Sequence, residues 1–138
     1  MTREAPAVLY AILCYNDQDL VSGWTKAEDE MVMANLSVVH DRLYAEGKLG
    51  PAGRLGFTGS AKTLVKGQEP PMVIDGPYAE TKEAMLGFYI IDCASMDEAL
   101  DVARALGEAN PTGAYEIRPL SLYLQGVAVG DQVPQAAE

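Results

Sequence analysis

Two stretches of this chain have no polar face. "AVLYAILCY" (7–15) and "LGFYIIDCA" (86–94) are almost continuously apolar. At strand length, such runs predict strands covered on both sides, at the centre of a sheet. Helical spacing takes over between them. Thr25 followed three residues later by Glu28 is a capping box, and Val32, Leu36, Val39 and Leu43 then recur at helical intervals, predicting a helix over 27–46 that stops at Gly47. Ser95 with Glu98 predicts a second capping box, opening a helix whose buried stripe is Met96, Ala99, Leu100, Ala103 and Leu106. "AGRLGFTGSAKTLVKG" reads as two short strands around a Gly-Ser turn, and "PPMVIDGPY" as a third short piece whose prolines suit an edge or a strand start. "GAYEIRPLSLYL" is a last strand with Tyr115 and Ile117 on one face and Glu116 and Arg118 on the other. Pro119 has no N–H to give a ladder, which puts that strand at an edge.

The order strand, helix, short strands, strand, helix, strand is the ferredoxin-like βαββαβ plan of an α+β protein, with an extra hairpin before the second central strand. One domain over 1–124 is expected, followed by a tail or arm over 125–138 that carries no periodic signal and suits a mobile arm or an exchanged strand. The plan lays both helices on one face of the sheet. Since both central strands are apolar on both faces, the other face needs a cover, and the arm is short and weakly apolar. A second copy, stacked sheet to sheet in a dimeric α+β barrel, is the expected cover.

Composition narrows the functional classes. The chain has 138 residues, 49% of them apolar and 22% charged, a composition ordinary for one globular domain. No apolar run approaches the roughly 20 residues of a membrane span, and the first residues lack the pattern of a signal peptide, so a cytoplasmic protein away from membranes is expected. Ten Lys and Arg against twenty Asp and Glu give a net charge of -10. That charge repels phosphate backbones and argues against nucleic acid as a partner. The single histidine, His40, excludes a multi-histidine metal site, and no Gly-rich phosphate loop, Walker sequence or G-x-S-x-G elbow occurs, so neither metal nor cofactor is expected. Cys14 and Cys93 fall in apolar strands, where reduced, buried thiols are expected.

The stretch "DGPYAETKEAMLGFYIIDCASMDEALDVARALGEANPTGAYEIRPL" resembles the DGPF (YCII-related) family, with its D-G-P-[FY]-x-E-[ST]-K-E motif, G-[FY]-[YF]-hydrophobic strand and closing E-[VI]-R-P-[LIV]. "YAILCYND" and "LYAEGKLGPAGRL" extend the resemblance over most of the chain, short of the last dozen residues. It implies a ferredoxin-like α+β fold, usually dimeric with a cleft between subunits. Its functional implications are broader: most members have no assigned reaction, some are encoded beside or fused to extracytoplasmic-function sigma factors, and some YCII-like relatives resemble dehydrochlorinases using a His-Asp pair. Here the first-helix position of that histidine falls near Asn35 or Leu36, and His40 comes about one turn later. The His-Asp reaction does not carry over.

The candidate site is "DGPYAETKE". Asp75, Gly76 and Pro77 suit a turn, which alone would not call for the charges that follow. Tyr78 offers an aromatic face and a hydroxyl, Lys82 a cation, and Asp75 and Glu80 carboxylates, a set able to hold a small polar or aromatic ligand at a cleft edge. Arg118 adds a planar fork suited to a carboxylate, or an internal ion pair. Asp75 and His40 are the candidate acid-base groups, although His40 borders the apolar stripe of its helix, where packing is the usual role. Three functions are compatible with these residues: a dimeric small-molecule-binding domain, possible regulation included; a lyase or dehydrochlorinase-like enzyme working at the dimer cleft; and, through the resemblance, an interaction module for an extracytoplasmic-function sigma factor.

Overall fold

The computed structural model describes residues 8–130. Ala7, the first residue of the predicted opening strand, and residues 131–138 of the predicted arm lie outside it. The two apolar runs become β1 (Val8–Asp17) and β5 (Glu83–Cys93), antiparallel neighbours at the centre of a four-stranded sheet. β2 (Leu49–Arg54) pairs with the far side of β5 and β6 (Ala114–Pro119) with the far side of β1, giving the order β2-β5-β1-β6. This is the ferredoxin-like arrangement. Both edge strands contain a proline, Pro51 in β2 and Pro119 in β6.

Three α-helices complete the fold among the described residues. The short α1 (Gln18–Ser22) follows β1 directly, in a segment whose polar residues carry no helical period. α2 (Lys26–Ala45) opens with the expected capping box, Glu28 N–H on Thr25 Oγ1 at 3.1 Å and Thr25 N–H on Glu28 Oε1 at 2.8 Å. α3 (Met96–Ala109) has half of the expected box: Ser95 Oγ accepts from Glu98 N–H, but the Glu98 carboxylate reaches back to Ala94 N–H at 3.2 Å. Its buried residues are Ala99, Val102, Ala103 and Leu106. Met96 is exposed and Leu100 half-buried, while Val102, outside the expected stripe, takes a buried place beside Ala99.

Alternation divides the central strands into two faces. Tyr10, Ile12, Ile91 and Cys93 meet Leu36 and Leu43 of α2 and Ala99, Val102 and Leu106 of α3 in one core. Ile12, Leu43, Ile91 and Leu106 are fully buried, each worth about 2 kcal/mol in apolar area removed from water. The opposite face carries Leu9, Ala11, Leu13, Phe88 and Ile90, with Ala11 between Arg118 and Ile90 in the register and Leu13 between Glu116 and Phe88. Of these, Leu9, Leu13, Phe88 and Ile90 are half-buried.

Strands β3 (Lys62–Val65) and β4 (Met72–Asp75) form a separate two-stranded sheet. The extra hairpin therefore exists, but it is made by β3 with β4. The two short strands expected around the Gly-Ser turn, β2 and β3, go to different sheets because a 3-10 turn at Thr58–Ser60 separates them. The last strand also stops earlier than its apolar pattern suggests. Leu120 N–H still donates to Leu9 O at 2.8 Å, one residue beyond the strand's end at Pro119. Residues 121–130 lie exposed, Leu122, Leu124, Val127 and Val129 among them.

Candidate functional site

The segment between β4 and β5 is held by its first turn. Gly76, at φ 100°, adopts a conformation that favours glycine. Its N–H donates to Ala61 O at 2.8 Å and its carbonyl accepts from Thr63 Oγ1 at 2.9 Å, fastening the loop to the start of β3. Farther along, Thr81 Oγ1 donates to Glu83 O at 2.5 Å.

A second wall faces this loop. Asp17 caps α1 by accepting Asp19 N–H at 2.9 Å, which places Gln18 at the mouth of β1. The Gln18 amide then clasps the 3-10 turn: Oε1 accepts Thr58 N–H at 2.7 Å and Nε2 donates to Thr58 Oγ1 at 2.8 Å. Between the walls lies a cleft of about 360 Å³, lined by Gln18, Thr58, Gly76, Pro77, Glu80 and Thr81 among others. Among the described residues, Glu80 is the one ionisable side chain in its lining. The cleft is open to solvent and mixes polar groups from both walls with the apolar surface of Pro77, Ala79 and Ala84. Its chemistry is that of a hydrogen-bonding site with one carboxylate.

The other candidate residues are dispersed around it. Asp75 is ion-paired with Lys62 across the hairpin at 2.5 Å, both side chains exposed. Tyr78 is exposed on the loop, and Lys82, at its far end, lies 3.9 Å from Asp17. Arg118 is exposed in β6, on the sheet face opposite α2 and α3, beside Ala11 in the register. Asp75 and His40, the candidate acid-base groups, have separate partners. His40 reaches from α2 to Tyr89 on β5, with Nε2 2.8 Å from the phenol oxygen and ring centroids 5.4 Å apart. Burial lowers the proton affinity of His40, opposed by Asp41, and burial raises the Tyr89 pKa, so near neutral pH both groups are uncharged.

Gln18, Thr58 and Tyr89 were not legible as site residues. Gln18 and Thr58 are forty positions apart in polar turns, and Tyr89 lies inside an apolar run that gives no sign of a hydroxyl partner. Cys14 and Cys93 are free thiols, half-buried and buried, and desolvation pushes both up to about 11. At neutral pH they are protonated and poorly nucleophilic. Among the described residues, no three His, Cys, Asp or Glu side chains converge as a metal site, and no helix is long and apolar enough to cross a membrane.

The sequence profile of the YCII-related domain matches residues 8–123. An uncharacterized protein of Rhizobium meliloti (strain 1021) is 58% identical over 120 residues, covering 86% of this chain and 97% of that protein.

Proposed function

The chain belongs to the YCII-related family, and from that membership and the cleft beside its Gly76-to-Thr81 loop we propose that it is a dimeric domain binding a small polar molecule. The observation that carries the reading is the cleft itself. At about 360 Å³ it falls within the size range of small-molecule sites. One wall is stiffened by the Gln18–Thr58 clasp and the other by the Gly76 anchor, so little ordering remains to be done on binding. Glu80 and the Thr58 and Thr81 hydroxyls supply polar contacts, with Tyr78 and Lys82 at the margin. Asp75 and Arg118 act more remotely, Asp75 by holding the hairpin through Lys62.

The dimer reading rests on the apolar face of Leu9, Leu13, Phe88 and Ile90, which a second copy stacked sheet to sheet would cover. Two unbridged cysteines suit a reducing, cytoplasmic setting.

A thermal-shift screen of small polar metabolites tests the binding function, since a ligand specific for the folded state raises its melting temperature by mass action. A hit whose effect is lost in Glu80→Gln supports the cleft. Hits unaffected by Glu80→Gln, or no hits at all, overturn it. Light scattering coupled to gel filtration tests the dimer, and a stable species of 14.8 kDa would refute it.

A further inference from the structure

The two walls of the cleft have opposite hydrogen-bonding characters, set by the bonds each has already made. A backbone N–H can only donate, so the Gln18 atom that meets Thr58 N–H at 2.7 Å is its carbonyl oxygen, Oε1. The amide orientation is thereby fixed, and Nε2 is the donor to Thr58 Oγ1 at 2.8 Å. A hydroxyl that accepts in this way keeps its own proton to give, and Nε2 keeps its second one. This wall donates. Lys82 lies 3.9 Å from Asp17, the residue before Gln18, and adds an ammonium at the margin of the same side.

On the loop side the commitment is reversed. The Glu83 carbonyl can only accept, so the Thr81 hydroxyl gives its proton there, at 2.5 Å, and offers a ligand its lone pairs alone. Glu80 adds a carboxylate, and among the described residues it has neither an ion-pair nor a hydrogen-bond partner. This wall accepts, and it carries the charge. Pro77, Ala79 and Ala84 supply apolar surface in the same lining. The wider field has the same sign, since twenty Asp and Glu against ten Lys and Arg draw cations toward the molecule and hold anions off.

Resting on the binding function described above, we propose that the ligand is a small primary amine with a neutral oxygen at its other end, its ammonium at Glu80 and Thr81 and its oxygen at Thr58 and Gln18. A short carbon chain between them lies on the proline and alanine surface. A carboxylate end is disfavoured, because Asp17 already offsets the Lys82 charge and, among the described residues, no cationic side chain lines the cleft. An uncharged diol leaves the Glu80 carboxylate without a counterion.

Four probes built on the same short chain test the assignment: 4-amino-1-butanol, 1,4-butanediol, 4-hydroxybutyrate and butylamine. Each is titrated at low salt while the amide signals of Thr58, Glu80, Thr81 and the Gln18 side chain are followed by NMR. 4-Amino-1-butanol should bind about fivefold tighter than the diol, the upper range for a solvent-exposed ion pair, and that margin should shrink as salt is raised. It should also bind more tightly than butylamine, which lacks the oxygen. Glu80 is exposed, so Glu80→Gln leaves the core untouched, and in that variant the margin over the diol should disappear. Equal or tighter binding of the diol or of 4-hydroxybutyrate overturns the amine while leaving the cleft a binding site. A margin that survives Glu80→Gln overturns the placement of the ammonium, and butylamine binding as tightly as the amino alcohol overturns the oxygen end. Silence at all of these signals overturns the inference, and the wider metabolite screen then decides the binding function by itself.

Discussion

The Gln18 side-chain amide makes two hydrogen bonds to Thr58, one to its backbone N–H and one to its hydroxyl, and so ties the end of β1 to a turn forty residues away. Gln18→Ala removes both and leaves the half-buried Thr58 N–H without that acceptor. A loss of about 1 to 2 kcal/mol is expected from two neutral hydrogen bonds, read by urea unfolding. Faster amide exchange at Thr58 should accompany it, and an unchanged Thr58 amide would mean that the clasp does not hold in solution.

The central strands, both long helices and the edge position of β6 were legible because each rests on a local pattern: continuous apolarity in 86–94, the Thr25–Glu28 box, Pro119 in the last strand. The hairpin partner was not. Short strands such as β2, β3 and β4 carry too few residues for alternation to choose between neighbours, and only the 3-10 turn at Thr58 decides that β3 meets β4. At the site, the motif located the loop and Glu80, but the facing wall depends on a long-range contact between two polar residues, for which a single sequence has no periodic signal.

His40 should make stability depend on pH in one direction. Its folded-state pKa is lowered by burial from the ordinary 6.5, so the unfolded chain takes up the proton first as pH falls. The contribution of neutral His40 is complete above that ordinary value and is lost as pH drops through the folded value. Comparing unfolding of the native protein and His40→Gln between about pH 8 and about pH 5 isolates the effect from the carboxylates. The native protein's relative stability should decline toward the acid end, and a pH-independent gap would rule out titration of His40.

Tyr89→Phe keeps the ring and removes the hydroxyl that His40 meets at 2.8 Å. It should cost about 0.5 to 1.5 kcal/mol and raise the His40 pKa little, because desolvation remains the larger influence. Denaturation and a histidine titration by NMR check the two parts separately.

Substitutions of the loop charges should leave the fold in place. The Lys62–Asp75 pair joins exposed side chains and Lys82 is exposed at its 3.9 Å approach to the half-buried Asp17, so Asp75→Asn and Lys82→Met should each cost less than about 1 kcal/mol. Lys82→Met should still weaken binding of whichever ligand the screen returns. Losses of several kcal/mol in denaturation curves would make these residues structural.

Gly113→Ala should be far more damaging than its size suggests. Gly113 has φ 85°, and a Cβ there would collide with the Tyr15 carbonyl and the Asn16 side chain, just where β6 joins β1. Asn16 is itself buried and donates to the Thr112 hydroxyl at 3.0 Å. A loss exceeding the roughly 1 kcal/mol of an ordinary substitution is expected in chemical denaturation. An alanine variant as stable as the native protein would mean that the β1-β6 junction can shift to accept it.

The two prolines at the margins of the main sheet have a consequence for what the protein does at high concentration. A strand at a sheet's rim is a template on which further chains can stack without limit, and a missing N–H interrupts that template. With Pro51 on one rim and Pro119 on the other, the sheet resists edge-on growth into fibrils from both directions. At high concentration, growth edge-on through this sheet is therefore disfavoured.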